Sequence, residues 1–168
     1  MQIAGEHTYP YPVDAVFSIL TDPDHILARH RFMGARNVRM LVHEQQEDDL
    51  VIQVAREVPA EVPHMLRKII AEWNPVRQTE RWTRQDNTWQ TTLAFELKGI
   101  PVELQGTQTL EDHQGQTLHR VTLSLRCPLP IIGRKVADFM AVRIRDTLQG
   151  EFAHTENALR ERGGAGQT

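Results

Sequence analysis

The sequence predicts an α+β domain in which a curved antiparallel sheet of about seven strands wraps one long C-terminal helix, with two short helices after the first strand. Three observations predict it. Apolar residues recur every four positions through Val136, Met140, Ile144, Leu148 and Phe152, with Ala137, Ala141, Ala158 and Leu159 beside them, which is the stripe of an amphipathic helix. Ahead of that stripe, apolar and polar residues alternate with period two, as in strands with one covered and one wet face. After the two short helices, short turns join the strands except at residues 58–75, and one domain over residues 1–162 buries every patterned face by closing the sheet on the helix.

Residues 2–9 make a weakly patterned first strand, closed by Pro10 and Pro12. Pro12 opens a helix over Val13 to Leu20, because its fixed φ suits a helix start, and Val13, Val16, Phe17 and Leu20 share a face. Asp22-Pro23-Asp24 breaks this helix, and a second one spans His25 to Phe32, ended by Gly34. Val38, Met40 and Val42, then Leu50, Ile52 and Val54, alternate about the charged turn Glu47-Asp48-Asp49 and read as a hairpin. Pro59 to Trp73 is not a strand; His64 to Glu72 supports one or two helical turns. The strand pattern resumes at Val76 and runs to Thr83. It continues through Trp89, Leu93, Phe95 and Leu97, then Val102, Leu104, Gly106 and Leu110, then Val121, Leu123, Leu125 and Cys127. The last helix reads from Ile131 to Arg162 after Pro128 and Pro130. Gly163-Gly164 stops it, and residues 163–168 are expected to be disordered.

Composition narrows the function classes. The chain has 168 residues, 40% apolar and 24% charged, as in an ordinary globular domain. A net charge of −3 with scattered Lys and Arg argues against nucleic-acid binding. The one cysteine, Cys127, allows no internal disulfide and reads as an inert core thiol at a strand end. No secretory signal pattern and no long apolar run is present, so a cytoplasmic protein is expected. His25 and His30 are five apart, off a common helix face, and no histidine pair has ligand spacing. The histidines therefore read as surface or loop residues, and no metal or cofactor is expected. Neither a nucleophile elbow, a phosphate loop nor a dinucleotide fingerprint occurs, and no catalytic residue is assigned. Trp73, Trp82 and Trp89 read as packing at the rim of the sheet.

Strand parity singles out polar residues that share a face with the core. Arg56 falls on the parity of Leu50, Ile52 and Val54; Gln78 and Glu80 on that of Val76 and Trp82; Gln108 on that of Leu104 and Leu110; and His119 on that of Val121 and Leu123. On the long helix Glu151 lies mid-stripe, between Ile144, Leu148 and Thr155. Such positions mean a wet cavity or a buried network, unless the strand ends open to solvent. A carboxylate at Glu151 facing a cavity has to pair with a cation such as Arg56 or hold its proton.

The order of elements resembles the helix-grip, or START-like, superfamily of polyketide cyclases, aromatase/cyclases, plant pathogenesis-related allergens and lipid-transfer domains. So do the segments Arg56-Glu57-Val58-Pro59 with Pro63, Glu72-Trp73, Gly99-Ile100-Pro101 with Gly106, Cys127-Pro128-Leu129-Pro130-Ile131-Ile132-Gly133 and Glu151-Phe152. More narrowly, the chain is similar to a bacterial branch of unknown function. The resemblance spans residues 1–162 and implies a hydrophobic cavity between sheet and helix, but no single chemistry. The reading that follows is non-covalent binding of a small hydrophobic or amphipathic ligand, lipid-like or polycyclic. Trp82, Phe95, Leu104, Leu123, Met140, Ile144 and Leu148 would form its walls, and Arg56, Glu80, His119 and Glu151 its polar groups. The alternatives are a cyclase-like enzyme using Glu151, Glu80 and His119, or a partner-binding module. Met65, Leu66, Ile69 and Ile70, with Arg67 and Lys68, could form a lid or touch a membrane transiently; the other reading packs them into the core.

Overall fold

The period-two segments pair into one antiparallel sheet. A computed structural model describes residues 1–165. Its strands are β1 (Gln2–Tyr9), β2 (Arg36–Gln46), β3 (Asp49–Pro59), β4 (Trp73–Gln85), β5 (Thr88–Leu97), β6 (Glu103–His113) and β7 (Gln116–Arg126). Their order across the sheet is β1-β7-β6-β5-β4-β3-β2, so the first and second strands in sequence form opposite edges. The helices α1 (Val13–Leu20) and α2 (Pro23–Phe32) make that crossing, and α3 (Gly133–Ala165) closes the chain. This is the α+β helix-grip architecture that the two periodicities predict.

Short turns keep the strands antiparallel. Gln114 and Gly115 both adopt positive φ (57° and 83°), the twist a two-residue hairpin needs between β6 and β7. At Gly106 a Cβ would overlap the Thr122 carbonyl oxygen and the Leu123 side chain, so only glycine lets β6 lie this close to β7.

The helical stripe does what its spacing demands. Val136, Ala141, Phe152 and Leu159 are buried against the sheet and α1–α2, whereas Met140 and Ile144 are only half-buried. That difference marks the place where sheet and helix separate. Asp22 ties the far end of α3 to α2. Its carboxylate accepts from the Asp24 amide at 2.8 Å, capping α2, and also pairs with Arg162 on α3. Burial alone would raise the Asp22 carboxyl, but Arg162 and the two capping amides hold it below its ordinary value.

Several boundaries differ from the sequence expectation. The long helix starts at Gly133 because Ile131 turns the chain with φ 69°. Gly163-Gly164 does not stop it; it runs on to Ala165. Glycine costs a helix only about 1 kcal/mol, and buried Leu159 and the Arg162–Asp22 pair anchor the preceding turn. Of the expected disordered tail, 166–168 lie outside the described residues. Strand β4 begins at Trp73 rather than Val76, because Val58 and Pro59 pair with Asn74 and Trp73 and extend the ladder.

Candidate functional site

A cavity of about 400 Å³ lies between the concave face of the sheet and α3. Its apolar walls come from alternate positions of β5, β6 and β7 (Leu93, Phe95, Leu104, Val121, Leu123) and from one face of α3 (Phe139, Met140, Ile144, Leu148). Exposed lining residues Pro59, Arg143, Asp146 and Thr147 mark the opening, between the end of β3 and the middle of α3. Arg143 spans that opening: its Nη2 donates to the Glu61 carbonyl at 3.0 Å.

Polar groups enter from Tyr9, α2, β3, β4, β6, β7 and α3, and they form two hydrogen-bonded sets. In one, Arg56 Nη2 donates to Gln78 Oε1 at 2.9 Å, Gln78 Nε2 donates to Glu80 Oε1 at 2.8 Å, and Trp82 Nε1 donates to Glu80 Oε2 at 2.8 Å. Cross-strand pairing of β3 with β4 places these side chains on one face. Burial pushes the Glu80 carboxyl above its ordinary range, against the opposing pull of Arg29, Trp82 and Gln78. Burial likewise brings Arg56 down to about 10, with Glu151 acting in the opposite sense. A guanidinium at that value is still charged at neutral pH.

The second set is Tyr9–His119–Gln108. His119 Nε2 lies 2.8 Å from Gln108 Oε1, and Nδ1 lies 3.4 Å from the Tyr9 hydroxyl. A neutral imidazole protonated on Nε2 satisfies both, donating to Gln108 and accepting from Tyr9. Burial, reinforced by Arg29 and His7, lowers His119 to about 3, so the neutral form is the stable one. Burial raises the Tyr9 hydroxyl well above its ordinary value, so it stays protonated. The Phe152 ring meets the His119 ring edge-on at 5.1 Å and locks it from the α3 side.

Two polar atoms stand out. Arg29 Nε and Arg56 Nη1 are buried and have no hydrogen-bond partner. Arg29 is 5% exposed, lines the cavity, and makes no side-chain hydrogen bond or ion pair among the described residues. Its charge is felt all round the site, at Tyr9, His30, Arg56, Glu80 and His119.

All eleven positions singled out from the sequence line this one cavity. Trp82, Leu123, Leu148, Glu80 and His119 are buried there, and Arg56, Phe95, Leu104, Met140, Ile144 and Glu151 are half-buried. Arg56 does not pair with Glu151; it bonds Gln78, and Glu151 has no hydrogen bond or ion pair among the described residues. Sequence reading missed Arg29, His30 and Tyr9, which also line the cavity, as does Thr155 on the inner stripe of α3. The spacing of Ile26, Arg29 and His30 was the available signal: i, i+3 and i+4 put all three on the buried face of α2.

Other expectations need correction. His25 and His30 are not surface residues. α2 turns both inward, His25 towards Thr155 (Nε2 to Oγ1, 3.4 Å) and His30 into the cavity. Leu66 and Ile70 are buried in the core and Ile69 is half-buried, in line with the core-packing reading; of the four apolar residues only Met65 is exposed, beside exposed Arg67 and Lys68. The 3₁₀ turn at His64–Leu66 folds those side chains inward. Trp82 and Trp89 are core residues rather than rim residues, and Phe17 stacks on Trp89 at 3.7 Å between ring centres. Cys127 is half-buried, one residue past β7. No helix among the described residues is long and apolar enough to cross a membrane.

A family model described as a protein of unknown function, DUF2505, matches residues 5–159. No curated protein matches the chain. Among solved structures, the Zhui aromatase/cyclase from Streptomyces sp. R1128 is similar with a TM-score of 0.63 at 12% identity, over 96% of this chain and 94% of that one. The 18 kDa protein CC1736 from Caulobacter crescentus is similar with a TM-score of 0.62 at 9% identity, over 98% and 99%. Human STARD10 is similar with a TM-score of 0.59 at 6% identity, over 92% of this chain and 62% of that one. At these identities the likeness shows the START-like helix-grip fold, and the fold alone.

Proposed function

We propose that this chain, which belongs to the DUF2505 family of proteins of unknown function, binds a small hydrophobic or amphipathic molecule between the sheet and α3. The observation that carries this reading is the cavity of about 400 Å³ itself, walled by aliphatic and aromatic side chains with polar groups gathered at few points. That volume falls within the ~300–1,000 Å³ of small-molecule sites. Half-buried Met140 and Ile144 support it, since an amphipathic helix gripping a sheet without a ligand space would bury both.

The commitments of Glu80 and His119 favour binding over catalysis at those two groups. Both oxygens of Glu80 and both ring nitrogens of His119 already have protein partners. A general base must come within hydrogen-bond reach of its substrate, and neutral His119 already offers its one acceptor nitrogen, Nδ1, to Tyr9. These residues are better suited to shaping and orienting the site than to moving a proton.

Native mass spectrometry of protein purified without detergent tests the proposal. The expected result is an adduct lost on denaturation, or formation of a one-to-one complex with a single-chain or polycyclic amphiphile. A bare mass together with no complex across such a panel would overturn it.

A further inference from the structure

The proposal rests on the cavity-binding reading and narrows its ligand. We propose that the ligand is an amphipathic monocarboxylic acid, its carboxylate held by the Arg29 and Arg56 guanidinium groups and its apolar body lying between α3 and strands β5–β7.

Three observations meet at this point. First, Arg29 is 5% exposed yet has no hydrogen-bonding or ion-pairing side chain among the described residues. A guanidinium taken out of water loses several kcal/mol of hydration, so proteins normally supply it with an acceptor. No such acceptor is found among the described residues, and Arg29 lines the cavity. Second, Arg56 lines the same cavity from β3 and spends Nη2 on a neutral amide oxygen, while its Nη1 is buried and unpartnered. Two donors on different elements are therefore left without acceptors in one space. Third, the carboxylates nearby do not fill that role. Glu80 already accepts from Gln78 and Trp82, and Glu151 makes no ion pair with either arginine.

Charge and size identify the acid. Four charged groups reach the inner cavity: Arg29 and Arg56, and Glu80 and Glu151. Burial raises the Glu80 carboxyl and so weakens it as a counter-charge to the two arginines. A monoanion supplies that counter-charge. The planar fork of a guanidinium matches a carboxylate with two parallel hydrogen bonds. A cavity near the lower end of the ligand-site range holds one chain or a few rings rather than a two-chain phosphodiester lipid. The aliphatic and aromatic walls take the rest of such a molecule.

The test compares 1-pyrenebutyrate with its methyl ester, titrated by pyrene fluorescence into wild type, Arg29→Met and Arg56→Gln. Wild type is expected to bind the acid more tightly than the ester. Each variant is expected to lose about 10- to 100-fold in affinity for the acid, the worth of charge-assisted hydrogen bonds, with ester binding little changed. Without ligand, Arg29→Met should melt at or above the wild-type temperature, because an uncompensated buried charge has been removed. Equal affinity of wild type for acid and ester would overturn the acid assignment and leave the cavity reading standing. So would tighter binding of dodecylphosphocholine than of dodecanoate, which points to a phosphodiester. A lower melting temperature for Arg29→Met with acid affinity unchanged would make Arg29 a structural counter-ion of Glu80 and overturn the proposal. Failure of wild type to bind either pyrene probe, dodecanoate or dodecylphosphocholine would overturn both readings. If Arg29→Met does not fold, Arg56→Gln carries the same comparison.

Discussion

Trp82 Nε1 donates to Glu80 Oε2 at 2.8 Å, two residues apart on the inner face of β4. This bond, with the one from Gln78, lets a carboxyl stay where burial opposes its charge. The folded Glu80 carboxyl binds its proton more tightly than the unfolded one. Its contribution to stability is therefore complete below the unfolded value and is lost as pH rises through the raised folded value. Glu80→Gln removes that term. The melting temperature of the variant relative to wild type should rise as pH increases from 4.5 upward. A difference that stays constant from pH 4 to 8 would show that Glu80 does not titrate as its burial demands.

The histidines act in the opposite direction. Burial lowers His25 and His119 to about 3 and puts His30 well below its ordinary value of 6.5. Their contributions are complete above about 6.5 and are lost as pH falls towards the folded values, each by at most about 1.4 kcal/mol per pH unit. Three histidines outweigh one Glu80, so thermal stability should fall on acidification below pH 6.5. In His119→Gln the fall should be shallower by about one proton, measured as the slope of unfolding free energy against pH. An unchanged slope would contradict the buried, neutral assignment of His119.

Which of these features can be read from sequence follows from periodicity. Period two put Arg56, Glu80 and His119 on the core face of their strands, and period 3.6 put Met140, Ile144, Leu148 and Glu151 on the inner face of α3; all of them line the cavity. Arg29 escaped because its charge hides the apolar spacing of α2, and Tyr9 because β1 is weakly patterned. The Arg56–Gln78 bond depends on the β3–β4 register, which alternation alone does not specify; the sequence offers Arg56 only as one possible cation for Glu151. The glycine pair at 163–164 misled because a helix stop also depends on what anchors the turn before it.

Along α3, packing and cavity lining should separate in energetic terms. Phe152 is 2% exposed, beneath Gly5 and the His119 ring, whereas Met140 is half-buried at the cavity wall. Phe152→Ala is expected to cost about 3–5 kcal/mol. Met140→Ala is expected to cost only about 1 kcal/mol, because its side chain already borders open space. Denaturant unfolding of both variants checks this, and equal losses would mean that the helix packs uniformly.

Glu151 is half-buried at the cavity and lacks a hydrogen-bonding or ion-pairing partner among the described residues. Glu151→Gln strands no partner, so its stability should stay within about 0.5 kcal/mol of wild type. Removing a negative charge that faces Arg56 should also tighten binding of an anionic ligand several-fold. A loss of about 3–5 kcal/mol, the cost of breaking a buried ion pair, would show that Glu151 has a buried cationic partner.

Filling the cavity tests the central claim most directly. Ile144 is half-buried on its wall, so Ile144→Trp can place its indole in the open space rather than in packed core. Fluorescence titration of 1-pyrenebutyrate into wild type and Ile144→Trp is the measurement, with a melting curve of each as the control for folding. The account predicts saturable one-to-one binding by wild type and at least a tenfold loss in a variant that still melts cooperatively. Equal binding by the two proteins, or none by wild type, would contradict it.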